Sequence, residues 1–194
     1  FSALINLKDR YPQSRTNFHF EISASLLSEQ TLAVLETAPT GLLQFEVGIQ
    51  STHGETLRAV GRGHSTKSVL DNTARLCRMN NLHVHVDLIA GLPLETAETF
   101  AASFNDAYHL NAGRLQLGFL KLLKGSPLRD NTEHFGIVYA DGAPYEVLMT
   151  AAMSYATLRR LHRIESLLDT LYNDCAARKT LELLTSLLPP YDVF

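Results

Sequence analysis

Apolar and polar residues alternate strictly in three stretches of the chain. In HVHVDLIAGLP (83–93), Val84, Val86 and Leu88 share one parity, and His83, His85 and Asp87 the other. In NFHFEISAS (17–25), Phe18, Phe20 and Ile22 alternate with His19, Glu21 and Ser23. In LQFEVGIQST (43–52), Phe45, Val47 and Ile49 alternate with Gln44, Glu46, Gly48 and Gln50. Successive strand side chains point to opposite faces, so each stretch predicts a strand with one aliphatic and one polar face. Buried parallel strands are usually apolar on both sides, so a polar side on such a strand needs a ligand, water or a partner.

Helical spacing fills the intervals. Leu4, Leu7 and Tyr11 predict an opening helix stopped at Pro12. A helix is expected over 28–39, with Ser28 as N-cap, and a short one over 54–61. A longer helix over about 67–80 is capped by Ser65 or Thr66 and turns Val69, Leu70, Ala74, Leu76 and Cys77 to the sheet. Thr96 caps the next, with Phe100, Phe104, Ala107 and Tyr108 as its stripe. RLQLGFLKLL (114–123) is the fourth strand. Residues 124–143 read as a loop, 145–171 as helix with a break near Ser154, and 174–188 as a last helix. The order β-α-β-α-β-α-β, then helices, predicts an α/β fold with a parallel sheet. Right-handed crossovers set consecutive strands side by side, as in an arc of a TIM-like barrel. The expected division is a barrel part over 1–125, a connecting loop over 126–143 and a helical extension over 144–194.

Composition narrows the classes. Among 194 residues, 45% are hydrophobic and 19% charged, so the chain is expected to fold. The net charge is −3 and Lys and Arg do not cluster, which argues against a nucleic-acid surface. Two isolated cysteines, Cys77 and Cys175, form no metal-binding spacing and fit a reducing, cytoplasmic setting. No apolar run approaches the roughly 20 residues of a membrane span. No glycine-rich phosphate loop follows a strand. Phe1 and the helix-end character of residues 1–10 lead us to expect a piece of a longer protein.

FEISA, FEVGIQST, GRGHS, VDLIAGLP and RLQLGFL, in that order, resemble the second half of the radical S-adenosylmethionine (SAM) barrel, over about residues 15–125. The likeness is greatest to the coproporphyrinogen-dehydrogenase-like and cobalamin-associated branches. It implies a (βα)6 barrel of which these are strands three to six, and an Fe-S oxidoreductase acting on an unidentified small molecule. By resemblance, Glu21 meets the methionine amino end of SAM, Gln50 follows the family's fourth strand, Arg62 approaches the SAM carboxylate and Asp87 lies near the ribose. Lys121 falls where the sixth strand meets adenine, where the resemblance implies a backbone contact, although Gln116 and Gly118 take the opposite parity. Glu21, Gln50 and Asp87 lie on the polar parity assigned from the pattern alone.

The family's C-x-x-x-C-x-x-C motif is absent, so the ligands of the [4Fe-4S] cluster would lie outside this sequence and the chain alone is expected to be inactive. A cobalamin domain, if the parent protein carries one, would lie upstream. The expected partners are the upstream half of its own barrel and, through the open strand edge, a second copy. A (βα)8 hydrolase or lyase without SAM and a non-catalytic scaffold are the competing readings. His83 and His85 share a face, which His19 joins, but two imidazoles without a third ligand in sequence read as cavity lining rather than a metal site. Glu46 points into the same cavity and is a candidate substrate-side residue.

Overall fold

The computed structural model describes residues 1–63 and 65–194. The chain opens with helix α1 (Ser2–Arg10) and strand β1 (Phe18–Ile22), followed by α2 (Glu29–Glu36) and β2 (Leu43–Gln50). Helices α3 (Gly54–Ala59) and α4 (Thr66–Arg78) lead to β3 (His83–Ala90), and α5 (Ala97–Tyr108) to β4 (Arg114–Phe119). The four strands pair in parallel in the order β1-β2-β3-β4. Consecutive parallel strands lie side by side, each joined to the next through helix, as the alternation predicts.

The aliphatic parity forms the core. Phe45, Val47, Val84, Val86, Leu88 and Leu115 are all buried, packed with Leu32 and Leu35 of α2, Leu76 of α4 and Phe100 and Phe104 of α5. Close-packed aliphatic burial is the main stabilising term of such a layer. Along β2 and β3 every second residue is buried and its neighbours are half-exposed or exposed. The helices therefore cover one face of the sheet, and the polar parity is left on the other. On the covered side, the rings of Phe1, Phe20 and Phe45 meet edge to face or stacked. Thr96 and Thr99 cap α5 reciprocally, at 2.9 and 3.2 Å. Ser28, Ser65 and Ser154 each accept a hydrogen bond from the first turn of their helix.

The second half departs from expectation. Strand β4 ends at Phe119, not at 123. Residues 145–153 are not helical. They carry β6 (Val147–Met149), paired antiparallel with β5 (Val138–Tyr139), in a stretch read as loop. Beyond β4 the chain bonds to the same segment: Val147 donates to the Leu120 carbonyl at 2.8 Å, and Leu122 to the Tyr145 carbonyl at 2.9 Å. The backbone past β4 offers unpaired donors and acceptors, and the segment Tyr145–Val147 satisfies them. The helix begins only at α6 (Tyr155–Leu168), after the Ser154 cap. A π-helical turn (Asp169–Asn173), α7 (Arg178–Thr185) and α8 (Pro190–Val193) complete the chain. Leu158, Leu161, Ile164 and Leu168 of α6 are buried.

Candidate functional site

The polar face is organised in cross-strand rows. Register pairs His19 with Gln44 and Gln44 with His83. The next row runs Glu21, Glu46, His85, Arg114, and the one after it Gly48, Asp87, Gln116. Alternation alone places these residues on one side, and parallel pairing aligns them.

Asp87 is the most perturbed member of this face. Burial, and then the negative charges of Glu46 and Glu21, push its carboxyl up to about 7, with Arg114 opposing. Its Oδ1 is buried without a hydrogen-bond partner. An unpaired buried oxygen is costly, and it is a ready acceptor for a hydroxyl donor.

Gly48 stands beside Asp87 in register, and the other two expected residues meet there. The Arg62 guanidinium donates to the Gly48 carbonyl at 2.9 Å. A Cβ on Gly48 would fall 2.5 Å from Gln50 Nε2, so the glycine makes room for the amide. Gln50 sits at φ +67° where the pairing with β3 shifts register. A non-glycine residue in this left-handed region is strained and is held there by its surroundings. Gln50 and Arg62 both line a cleft of about 440 Å³ at the C-terminal ends of the strands, with Ile89, Leu92, Leu120 and Phe135. Ligands of parallel α/β folds bind at this end of the strands. His64, in the same GRGHS motif, lies outside the described residues.

Four of the five residues named from sequence therefore belong to one face and the cleft at its upper end. Lys121 does not join them. It is exposed, forms an isolated antiparallel bridge with Glu146, and lines a depression of about 340 Å³ at the β4 edge of the polar face, with Gln116, Gly118 and His162. There His162 stacks on Phe119, ring centroids 3.5 Å apart, and its Nε2 lies 2.9 Å from Glu146.

Sequence reasoning missed Glu95. It is fully buried just after the Gly-Leu-Pro turn. Ser51 and Ser103 donate to its Oε1 at 2.5 and 3.5 Å, and Oε2 has no partner. Burial pushes its carboxyl up to about 7 against the lowering effect of both serines. The network ties the end of β2 to the turn after β3 and to α5. A carboxylate between that turn and an N-cap was the only signal available in sequence.

A one-sided parallel βα layer, with carboxylates on its open face and a cleft at the strand C-termini, defines the class as part of a TIM-like barrel fold. The relatives agree. Residues 133–194 match a family described as protein of unknown function (DUF4080). The chain is 30% identical over 97 residues to the heme chaperone HemW of Bacillus subtilis (strain 168), covering 50% of this chain and 25% of that protein. It is 28% identical over 113 residues to the oxygen-independent coproporphyrinogen-III oxidase-like protein HemZ of the same organism, covering 57% and 22%. Among solved structures, the radical SAM methyltransferase TsrM from Kitasatospora setae, bound to tryptophan substrate and the analogue aza-SAM, superposes with a TM-score of 0.58 at 18% identity, covering 74% and 29%. Another structure of that enzyme holds cobalamin and a [4Fe-4S] cluster; it gives 0.57 at 20%, covering 72% and 28%. The chain thus resembles radical SAM proteins in fold as well as in its ordered motifs. It spans about a quarter of the length of the curated relatives it matches.

Proposed function

We propose that this chain supplies the SAM-holding half of a radical SAM enzyme. The observation that carries this reading is the buried, unpartnered Oδ1 of Asp87, on the same face as Glu21 and beside the Gly48 notch where Gln50 and Arg62 meet. The donor set fits the cofactor's polar ends. The Glu21 carboxylate would pair with the SAM ammonium and the Arg62 guanidinium with its carboxylate. Asp87 Oδ1 would accept from a ribose hydroxyl, and the Gln50 amide would bond the amino-acid end. When bound, SAM supplies the 5′-deoxyadenosyl group that radical chemistry of this class uses. The residues here bind and orient; none is asked to move a proton.

The cluster does not fit the residues present. Three thiolates are needed to leave one iron open, and the chain has two cysteines. Cys77 is in α4, its thiol pushed up by burial to about 11, and Cys175 is exposed beyond the π-helical turn. A thiol so raised is not a thiolate at neutral pH. The radical-forming step therefore belongs to a preceding half-barrel, and the chain alone is inactive in this reading. Cobalamin is bound by the methyltransferase it resembles, and no residue here is assigned to it.

The test joins this chain to a half-barrel carrying the C-x-x-x-C-x-x-C cysteines. Supplied with iron, sulfide and reductant, the joined protein should release 5′-deoxyadenosine from SAM, and this chain alone none. Glu21→Gln and Asp87→Ala should each raise KM for SAM about tenfold or more. A joined protein that binds a cluster yet leaves SAM intact, or variants with unchanged KM, would overturn the reading.

A further inference from the structure

The lower rows of the polar face hold a second group of chemistry-bearing side chains, beside Glu21 and one row below Asp87. His19 of β1, Glu46 of β2 and His85 of β3 each offer one ligand atom, and the three atoms lie within 4.8 Å of one another. His19 Nε2 and Glu46 Oε2 are already 3.1 Å apart. We infer that His19, Glu46 and His85 form a binding site for a divalent first-row transition ion, with water in the remaining coordination positions.

The chemistry of the donor set supports this. Two imidazoles and one carboxylate are the mixed nitrogen and oxygen set that zinc, cobalt and ferrous ions take, at about 2.0–2.2 Å for zinc. Around one tetrahedral ion such bonds put ligand atoms roughly 3.3 Å apart. The His19–Glu46 pair meets that spacing, and His85, whose ligand atom lies within 4.8 Å of both, is brought in by a side-chain rotation. Each ligand comes from a different strand of the hydrogen-bonded ladder, so the backbone positions are set rigidly. Three protein ligands leave the site open on the solvent side, where the His19 side chain is 45% exposed.

The surroundings favour a cation. Glu21 flanks Glu46 in register and Asp87 stands one row up. Arg114 is the one cation in the row, and its guanidinium turns outward to Asp169, at 3.3 Å. The His83 ring meets His85 edge-on at 4.6 Å, and Gly113 is pressed against His83, where a Cβ would lie 2.8 Å from the ring. The Gln44 amide stands 3.2 Å from His85 Nε2. These neighbours orient the His85 imidazole without belonging to the ligand set.

The experiment titrates the full chain with Co²⁺, whose visible d–d bands report coordination by nitrogen and oxygen. The expected result is one Co²⁺ per chain, displaced by Zn²⁺. Affinity should fall at least about tenfold in His19→Ala, Glu46→Gln and His85→Ala, and stay within about threefold of the parent in His109→Ala, an exposed histidine outside the cluster. Circular dichroism checks that each variant is folded. A measurement on the unaltered chain covers a variant that is not: Zn²⁺ should slow diethylpyrocarbonate modification of His19 but not of the exposed His109. Absence of saturable binding, parent-like affinity in the three ligand variants, or unprotected His19 overturns the site. Retention in Glu46→Gln, or an equal loss in His109→Ala, overturns this ligand set. The titration contains no SAM, so its outcome is independent of the proposed function.

Discussion

At the scale of single residues, two buried carboxyls on the sheet and its turn bind protons more tightly than free ones. Glu95 is raised from its ordinary 4.5 to about 7 by burial. A raised carboxyl stabilises the fold fully below its unfolded value and loses that contribution as pH rises through its folded value. Stability should therefore fall between about pH 4.5 and pH 7, by on the order of 3 kcal/mol from Glu95 at the upper end. Asp87 acts in the same direction, so the two slopes add. Urea unfolding at pH 5 and pH 8.5 should show Glu95→Gln flattening this dependence, because an amide does not titrate. An unchanged slope in that variant would mean that Glu95 does not hold the proton. Asp87 was legible from strand parity because alternation fixes a face. Glu95 was not, because a residue in a turn has no periodicity and its burial comes from Ser51 and Ser103, about 44 and 8 positions away.

At the scale of elements, caps and alternation act locally and were readable. Ser28 and Thr96 stand at observed N-caps, Ser65 rather than Thr66 caps α4, and Ser154, where only a break was expected, caps α6. The Thr96 box matters most for the site, since α5 carries Ser103 and begins directly after Glu95. Thr96→Ala should cost about 1 kcal/mol in equilibrium unfolding, and a loss under a few tenths would show the box contributes nothing. The error at 145–153 has the opposite origin. Tyr145–Met149 contains no helix breaker, and its β character comes from partners, Leu120 and Leu122, more than twenty residues earlier. A hydrogen-bonded edge across the fold outweighs a weak local preference.

At the scale of the whole molecule, β1 is the terminal strand of the sheet, so the outer edge of Phe18–Ile22 has no strand partner among the described residues. An open edge beside a polar face favours pairing with another chain or with a preceding half-barrel. Light scattering after gel filtration should find this chain as a dimer, and joining it to a cluster-bearing half-barrel should make it monomeric; a monomer throughout would count against edge pairing. No helix among the described residues is long and apolar enough to cross a membrane. What the sequence determined by itself was the alternation: which residues form strands, which parity is greasy, and hence that Glu21 and Asp87 face one way, because side-chain direction in a strand is a property of position; Gln50, at a register shift, owes its place to the fold. What only the tertiary structure decided was proximity. Strand pairing brought Glu46 between His19 and His85, folded Arg62 back onto Gly48, and set Lys121 aside, since distances between residues far apart in sequence are made by packing and register rather than by any local pattern.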